Sequence, residues 1–277
     1  MRLDAGPPKS YAASIGRERE LTYLTITEAQ KANLGRRLTP VEREKLLTIS
    51  TATVATILHA RGLYNQFVQG VFRLSEHRKP MVGQAFTLRH IPAREDIDVR
   101  EIFRHPDHPQ RVGVESVGSG DVLVLDCHRD PSSASLGGIL ASRLLSRGCE
   151  GFVSDAGIRD SDYVASLDLG IYVAGRSAPT NLTKQHGVEL NVPIGCGGVA
   201  VYPGDVMLGD GDGVMVIPLE YLDDILPEAL RMEHYEPFAQ SHILGGAKVT
   251  HFYPPSGEAL ELYAEYKRIN PMPFGDV

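Results

Sequence analysis

The order of apolar and polar positions predicts alternating strands and helices through the middle of the chain. Residues 121–125 (DVLVL) form a nearly continuous apolar run, which is typical of a strand buried on both faces. The elements that follow are a helix over 135–146 that ends at Gly148, a strand over 151–154, a helix over 160–167 and a strand over 170–174. Strands and helices that alternate at this pitch predict parallel pairing with right-handed crossovers.

A capped helix is predicted before this region. Thr39 can cap a helix that has Pro40 at its first position, and Glu42 completes a capping box. Apolar residues recur at helical spacing from there to about Ala60, and Gly62 stops the helix. The pattern therefore predicts one helix over about 39–60.

The remaining segments complete an α/β fold class with a central sheet flanked by helices. Short apolar runs broken by glycines over 188–217 indicate short strands joined by tight turns. The other predicted elements are a strand over 82–91, a loop with at most one short helix over 92–118, and closing helices over 219–235 and 256–269. The predicted domains are an N-terminal extension over 1–38 with a short helix near 27–33, an α/β domain over 39–235 and a C-terminal helical segment over 236–277.

Composition narrows the class of protein. The chain has 277 residues and a formal net charge of −7, and an acidic surface repels phosphate backbones, so we expect no nucleic-acid partner. The three cysteines are far apart and form neither a disulfide framework nor a CxxC metal site, which favours a reducing compartment. No apolar stretch is long enough to cross a membrane and no signal peptide is evident, so we expect a cytoplasmic protein.

The first candidate site segment is Leu136-Gly137-Gly138-Ile139-Leu140, near the start of a helix. Consecutive glycines allow a ligand to approach the backbone, and the free N–H groups of a helix start favour a carboxylate or phosphate. The alternative is that Gly137 and Gly138 only allow close packing of the helix on the strand.

The second candidate segment, residues 154–160 (SDAGIRD), directly follows a predicted strand, where ligands of α/β sheets tend to bind. Arg159 can hold a carboxylate or an oxyanion, and Asp160 can bind Mg²⁺, which takes few protein ligands. Asp155 starts in the same place. The alternative is an exposed ion pair in which Asp160 caps the next helix.

Other polar clusters indicate turns and loops. The segment 209–214 (GDGDGV) lacks the twelve-residue spacing and final glutamate of an EF-hand, so it is predicted to be a turn between strands. Among the histidines His90, His105, His108 and His128, none has HExxH spacing. His105 and His108 could both reach a metal, but the pattern favours a solvated loop.

These segments together resemble the RraA-like family, which includes the 4-hydroxy-4-methyl-2-oxoglutarate aldolases. The resemblance covers about residues 45–220. It rests on the run GDVLVLD, on LGGILASRLLSRGCEGFVSDAGIRDSDYVASLDLGIYVAG and on GVAVYPGDVMLGDGDGVMVIP. The D-x-x-x-R-D element at a fixed distance from the LGGIL turn is its most specific part.

The resemblance implies a swivelling βαβ-type domain that assembles as a homotrimer or hexamer. It also implies a lyase, either a pyruvate aldolase or an oxaloacetate decarboxylase, that uses Mg²⁺ or Mn²⁺ and acts on a small 2-oxo acid through an enolate. Carried over to this chain, Asp160 is the metal ligand and Arg159 holds the substrate oxygen and the developing enolate. The segment Gly137, Gly138, Ile139 and Leu140 binds substrate, with the carboxylate on the amides of the last three. Asp155 supports the Arg159 loop.

Two departures from the family pattern keep other functions open. The acidic residue that usually follows the first glycine of the L-G turn is Gly138 here, and Glu115, Asp126 and Asp130 are the candidates to replace it. The alternatives are a non-catalytic RraA-like binding or regulatory protein and a metal-assisted dehydratase of a sugar-derived acid. The second departure is D-A-G-I-R-D at 155–160, in which the family's glycine has moved by one position.

Overall fold

The structure, a computed structural model, describes residues 35–74 and 80–275. The helix predicted near 27–33 and most of the predicted N-terminal extension lie outside these residues. In the described part, the helices are α1 (Pro40–Leu46), α2 (Thr51–Ala60), α3 (Pro109–Ser116), α4 (Gly138–Ser146), α5 (Ser161–Ala165), α6 (Leu222–Leu244), α7 (Val249–Phe252) and α8 (Glu258–Ile269). Short 3₁₀ helices span Arg100–Arg104, Asn181–Thr183 and Leu219–Tyr221.

The described strands form one large mixed sheet and a separate hairpin. The strands are β1 (Phe72–Arg73), β2 (Met81–Pro92), β3 (Asp121–Asp126), β4 (Ala134–Leu136), β5 (Gly151–Ile158), β6 (Gly170–Arg176), β7 (Gln185–Leu190), β8 (Ile194–Cys196), β9 (Val199–Val201), β10 (Val206–Gly209) and β11 (Val214–Ile217). The order along the large sheet is β1-β6-β5-β3-β2-β10-β11, with β4 beside β5 and β7 beside β2. The hairpin pairs β8 with β9.

The parallel centre of the sheet confirms the predicted alternation. Strands β2, β3, β5 and β6 pair in parallel, and β10, β11, β7 and β1 add antiparallel partners at the flanks. The helix between β3 and β5 ends as predicted: Gly148 has φ +77°, and the next amide, of Cys149, donates to the carbonyl of Leu144, as in a Schellman cap. The α/β fold class is therefore confirmed.

The single helix predicted over 39–60 is wrong in one respect, because it is two helices. The capping box of Thr39 and Glu42 is present at the start of α1. A new helix begins after Ser50, whose hydroxyl accepts from the amide of Thr53. Distant carboxylates also fix the break, since Glu233 accepts from the amide of Ser50 and Asp210 accepts from the amide of Thr51.

Two apolar clusters with helices cover one face of the sheet, and a third cluster, which includes the β8–β9 hairpin, covers the other face. In the first cluster, α1, α2 and α6 pack against β10 and β11, with Leu58, Leu208 and Leu222 among its residues. A second cluster brings α3, α4 and α5 against β3 and β5, with Leu144 and Phe152 buried at its centre. The second cluster places the starts of α4 and α5 beyond the carboxyl ends of parallel strands.

The long helix α6 contributes to two clusters. Its first half, including Leu222 and Leu226, belongs to the layer against the sheet. Its second half, including Tyr235 and Phe238, packs with α7 and α8. The domain boundary predicted after residue 235 therefore falls inside a continuous helix. None of the helices in the described residues is both long and apolar enough to cross a bilayer.

Candidate functional site

The two candidate segments meet at one edge of the sheet. Strand β4 ends at Leu136 and leads into Gly137, the N-cap of α4, while β5 ends at Ile158 and leads into Arg159 and Asp160. The parallel pairing of β4 with β5 sets the glycines beside the arginine and aspartate. Helix α4 begins three residues later than the sequence predicts, because residues 134–136 form strand β4.

Asp160 joins the two segments through its carboxylate. Its Oδ2 accepts a hydrogen bond of 2.9 Å from the amide of Gly138 and lies 3.7 Å from Nε of Arg159. Asp160 stands at the N-cap position of α5, yet its side chain makes no capping bond there. It has φ +57°, a left-handed conformation that costs energy for a residue with a side chain. The carboxylate thus bonds to the start of α4 instead of capping its own helix.

The glycine turn and Arg159 are in close contact. A Cβ atom at Gly137 would lie 2.7 Å from Cγ of Arg159 and 3.0 Å from Oδ2 of Asp160. Real Cβ atoms do not approach other heavy atoms so closely, so any larger residue at 137 displaces the Arg159 side chain. The close-packing and ligand-binding interpretations of this turn are therefore compatible.

Gly138 lies under an aromatic ring. A Cβ atom there would lie 2.9 Å from Cδ1 of Tyr163, whose hydroxyl is 2.7 Å from Oγ of Ser142 on α4. The space that a side chain at position 138 would need is thus taken by Tyr163. The departure of this chain from the family pattern at Gly138 is accompanied by this ring.

A cleft of about 210 Å³ opens over these segments. Its lining includes the residues predicted from the sequence: Gly137, Gly138, Ile139, Leu140, Arg159 and Asp160. It also includes residues that sequence reasoning missed, namely Phe103, Gln110, Arg111, Thr180 and Asn181. Three of these come from the stretch predicted as a loop with at most one short helix, which forms a 3₁₀ helix and α3.

The amides at the start of α4 differ in what they can offer a ligand. The amide of Gly138 already donates to Asp160. Those of Ile139 and Leu140 lie in the first helical turn, where an N–H group has no intrahelical acceptor. Two of the three predicted carboxylate-binding amides are therefore open to the cleft in this structure.

Asp155 is buried away from Arg159. Its carboxylate accepts from the amide of Cys127 at 2.7 Å and from the amide of Gly197 at 3.1 Å. Burial raises its pKa, and these amides act in the opposite direction. The sequence predicts that Asp155 supports the Arg159 loop, but within the described residues no contact joins the two. Asp155 instead joins the loop after β3 to the β8–β9 hairpin.

The histidine-rich stretch is a solvated loop only in part. His105 and His128 are exposed, as a solvated loop predicts, but His108 and His90 are buried. His108 is 6% exposed, and His90, on β2, is 1% exposed. Burial lowers the pKa of both imidazoles, that of His90 to about 4. The ring of His186 bonds to the buried carboxylate of Asp98 at 2.7 Å, which anchors the start of this stretch.

The acids suggested as replacements for the missing one at 138 have other partners. Glu115 forms an ion pair with Arg143, Asp126 accepts from the amide of His128, and Asp130 accepts from the amide of Ser132. None of the three lines the cleft described above. Among the described residues, no three His, Cys, Asp or Glu side chains gather into a metal cluster. The GDGDG segment forms the predicted turn between β10 and β11.

Comparison with known sequences gives relatives that match only part of this chain. A Halalkalibacterium halodurans protein, named provisionally as a 4-hydroxy-4-methyl-2-oxoglutarate aldolase, is 36% identical over 115 residues, which are 41% of this chain and 54% of that protein. An Azotobacter vinelandii protein with the same name is 37% identical over 105 residues, 38% of this chain and 64% of that protein. The matches thus span between half and two thirds of these relatives.

Comparison with solved structures supports the fold. An uncharacterized protein from Pseudomonas syringae superposes with a TM-score of 0.69 at 21% identity, covering 79% of this chain and 95% of that one. A Streptomyces coelicolor protein, described as an unusual member of the RNase ES inhibitor RraA family, gives a TM-score of 0.66 at 28% identity, covering 74% and 98%. A family model described as RraA-like (Aldolase/RraA) matches residues 51–216, more than half of the chain. The chain belongs to the RraA-like family.

Proposed function

We propose that this protein is a divalent-metal-dependent carbon–carbon lyase, an aldolase or decarboxylase that acts on a 2-oxo acid through an enolate. The observation that carries the proposal is the meeting of the α4 glycine turn with Arg159 and Asp160 in one cleft. The provisional names of the relatives point to the same class of reaction. Activity, substrate and metal are all part of the proposal, because the match covers only 54% and 64% of the lengths of these two relatives.

Arg159 is the group that stabilises the developing charge. Cleavage of the bond next to a 2-oxo group leaves an electron pair that is held as an enolate oxygen, and a fixed cation next to that oxygen lowers the barrier. The guanidinium is half exposed, and its one ion pair within the described residues is a long, 3.7 Å contact with Asp160, so it can turn its donors to a substrate. The substrate carboxylate binds the open amides of Ile139 and Leu140 at the positive end of α4.

The lining of the cleft suits a divalent cation that keeps most of its bound waters. It does not offer enough ligands for a site made of protein groups alone. Its one carboxylate is Asp160, whose Oδ1 has no hydrogen bond within the described residues. Mg²⁺ commonly binds through one or two carboxylates and keeps several waters, and Mn²⁺ accepts the same oxygen donors. Asp160 would hold the cation, and Gln110 and Asn181 line the same cleft with neutral oxygen donors. A bound cation supplies Lewis-acid charge for the substrate oxygen.

Gly138 supports the second candidate, a non-catalytic binding or regulatory protein. The cleft lacks a second acid among its lining residues, and the Streptomyces coelicolor relative is named for a family of RNase inhibitors. A metal-assisted dehydratase of a sugar-derived acid would use the same enolate chemistry and differ only in substrate. Homotrimer or hexamer formation and cytoplasmic location stay predictions of the sequence.

The test is pyruvate release from oxaloacetate and from 4-hydroxy-4-methyl-2-oxoglutarate, with Mg²⁺, with Mn²⁺ and with EDTA. We expect release that depends on the metal and is abolished by Asp160→Asn, which keeps the size of the side chain and its bond to the Gly138 amide. Asp162→Asn is the matched control, because Asp162 is an exposed acid two residues away that does not line the cleft.

Each result separates the candidates. Turnover that persists in Asp160→Asn would remove Asp160 as the metal ligand. No turnover and no calorimetric Mg²⁺ or Mn²⁺ binding would favour the binding protein. Metal binding without turnover on either compound would direct the search to sugar-derived acids.

A further inference from the structure

We infer that Arg111 is a specificity-determining residue that binds the distal carboxylate of the 2-oxo acid substrate. This inference rests on the proposed function and adds one residue to it. It comes from the α3 wall of the cleft, which the sequence did not identify as part of the site.

Arg111 lies in the cleft without an acidic partner. Within the described residues it forms no ion pair, whereas Arg143 and Arg94, in the same part of the chain, pair with Glu115 and Asp96. Its guanidinium carbon lies 5.3 Å from the centre of the Phe103 ring, which also lines the cleft. A flat guanidinium above an aromatic ring is oriented by that contact, and its N–H donors stay available.

The position of Arg111 in its helix is unfavourable for stability. It is the third residue of α3, where the helix presents its positive end, and the first turn of α3 has no acidic residue to balance it. A cation at this end opposes the helix dipole. Its charge therefore does not stabilise the helix, and Arg111 lines the cleft.

The total charge of the cleft calls for a ligand with two negative groups. Two arginines, Arg111 and Arg159, line it together with one acid, Asp160. The first turns of α3 and α4, neither of which contains an acid, add two positive helix ends. The carboxylate next to the 2-oxo group is assigned to α4 and Arg159, which leaves Arg111 and α3 for a second carboxylate at the other end of the molecule.

The wall that carries Arg111 is firmly attached. Its neighbour Gln110 is 4% exposed and donates from Nε2 to the carbonyl of Ser135 at 2.5 Å. Before it, the buried Asp98 bonds to His186 on β7. The guanidinium is thus held on a fixed support, as selection between two ligands requires.

The test compares two ligands that differ at the distal end. 2-Oxoglutarate and 2-oxopentanoate share the 2-oxo carboxylate, and only the first has a terminal carboxylate. Calorimetric titration of the full chain with Mg²⁺ should show binding at least about tenfold tighter for 2-oxoglutarate, the size of one charge-assisted interaction. Arg111→Gln should remove this preference and leave the 2-oxopentanoate affinity unchanged. Arg111→Lys should restore part of it.

Arg94→Gln is the matched control, because it removes the same charge from an exposed residue of the same segment outside the cleft, and it should keep the preference. A preference that survives in Arg111→Gln, or equal affinities of the wild-type protein for the two acids, would overturn the inference while the proposed function stands. If the wild-type protein binds neither acid but releases pyruvate in the assay above, the inference fails alone; if it also releases no pyruvate, the proposed function fails with it.

Discussion

Adding one methyl group at Gly138 tests how this chain accommodates its departure from the family pattern. In Gly138→Ala the new Cβ would lie 2.9 Å from Cδ1 and 3.3 Å from Cε1 of Tyr163. Carbon atoms in contact are normally about 3.5–4.0 Å apart, so the ring must move by roughly 0.5–1 Å or rotate into solvent. Because Tyr163 is 52% exposed, rotation is open to it, but it breaks the bond to Ser142.

The expected cost follows from these terms. Overpacking typically costs about 1–3 kcal/mol, and the Tyr163–Ser142 bond is worth about 1 kcal/mol. Replacing glycine by alanine at a helix start returns at most about 1 kcal/mol through helix propensity. We therefore expect Gly138→Ala to lower the free energy of unfolding by about 1–2 kcal/mol. In a Tyr163→Ala background the same change should be neutral or stabilising.

The assay is urea unfolding of the wild-type protein, the two single variants and the double variant, which together form a double-mutant cycle. Gly118→Ala is the control, because nothing lies within 4 Å of a Cβ there and its φ is not left-handed. A coupling near zero between positions 138 and 163, or a Gly138→Ala protein as stable as the wild type, would refute the reasoning. A coupling of about 1–3 kcal/mol would mean that an acid at 138 requires a smaller residue at 163.

Two further predictions concern the buried carboxyl group of Asp205 and Arg159, the cation proposed to stabilise the enolate. Burial raises the pKa of Asp205 from 3.8 to about 7, so the folded protein binds this proton more tightly than the unfolded chain does. The bound proton therefore adds to the free energy of unfolding. This contribution is complete below about pH 4 and is lost as the pH rises through about 7. Between pH 5 and pH 8 the wild type should lose roughly 2–3 kcal/mol that Asp205→Asn, which can still accept from the amide of Tyr202, does not lose; parallel denaturant curves for the two proteins across this range would contradict it. Arg159→Ala should lower kcat by about 10²–10³ in the pyruvate-release assay and change stability by less than about 1 kcal/mol, since its contact with Asp160 is exposed and long; a loss of kcat below tenfold would place the enolate elsewhere.

The central elements could be predicted because local pattern and tertiary packing agree there. Residues 122–125 of the run DVLVL are buried in β3, and the glycine turn and Arg159–Asp160 follow neighbouring strands that pair in parallel. Two segments that each follow a strand end must then share an edge of the sheet. Because of that geometry, most of the candidate site could be predicted from the sequence.

The remaining features depend on partners far away in the sequence. The break before α2 is fixed by Asp210 and Glu233, 159 and 183 residues from the amides they accept from. The wall with Arg111 is held by a hydrogen bond between Asp98 and His186, 88 residues apart. Neither contact leaves a local signal, so periodicity extended the helix through Ser50 and read the wall as a solvated loop.

The sharing of α6 between two apolar clusters has a consequence for how the molecule opens. The cluster of α6, α7 and α8 contains no residue of the sheet, and it joins the main core through α6 and through Met272, which follows α8. Amide protection in native-state hydrogen exchange should then change partway along one continuous helix, high near Leu226 and lower beyond Phe238. The two halves of α6 would exchange with different opening free energies, and a protease that cuts near residue 245 would leave the candidate cleft intact.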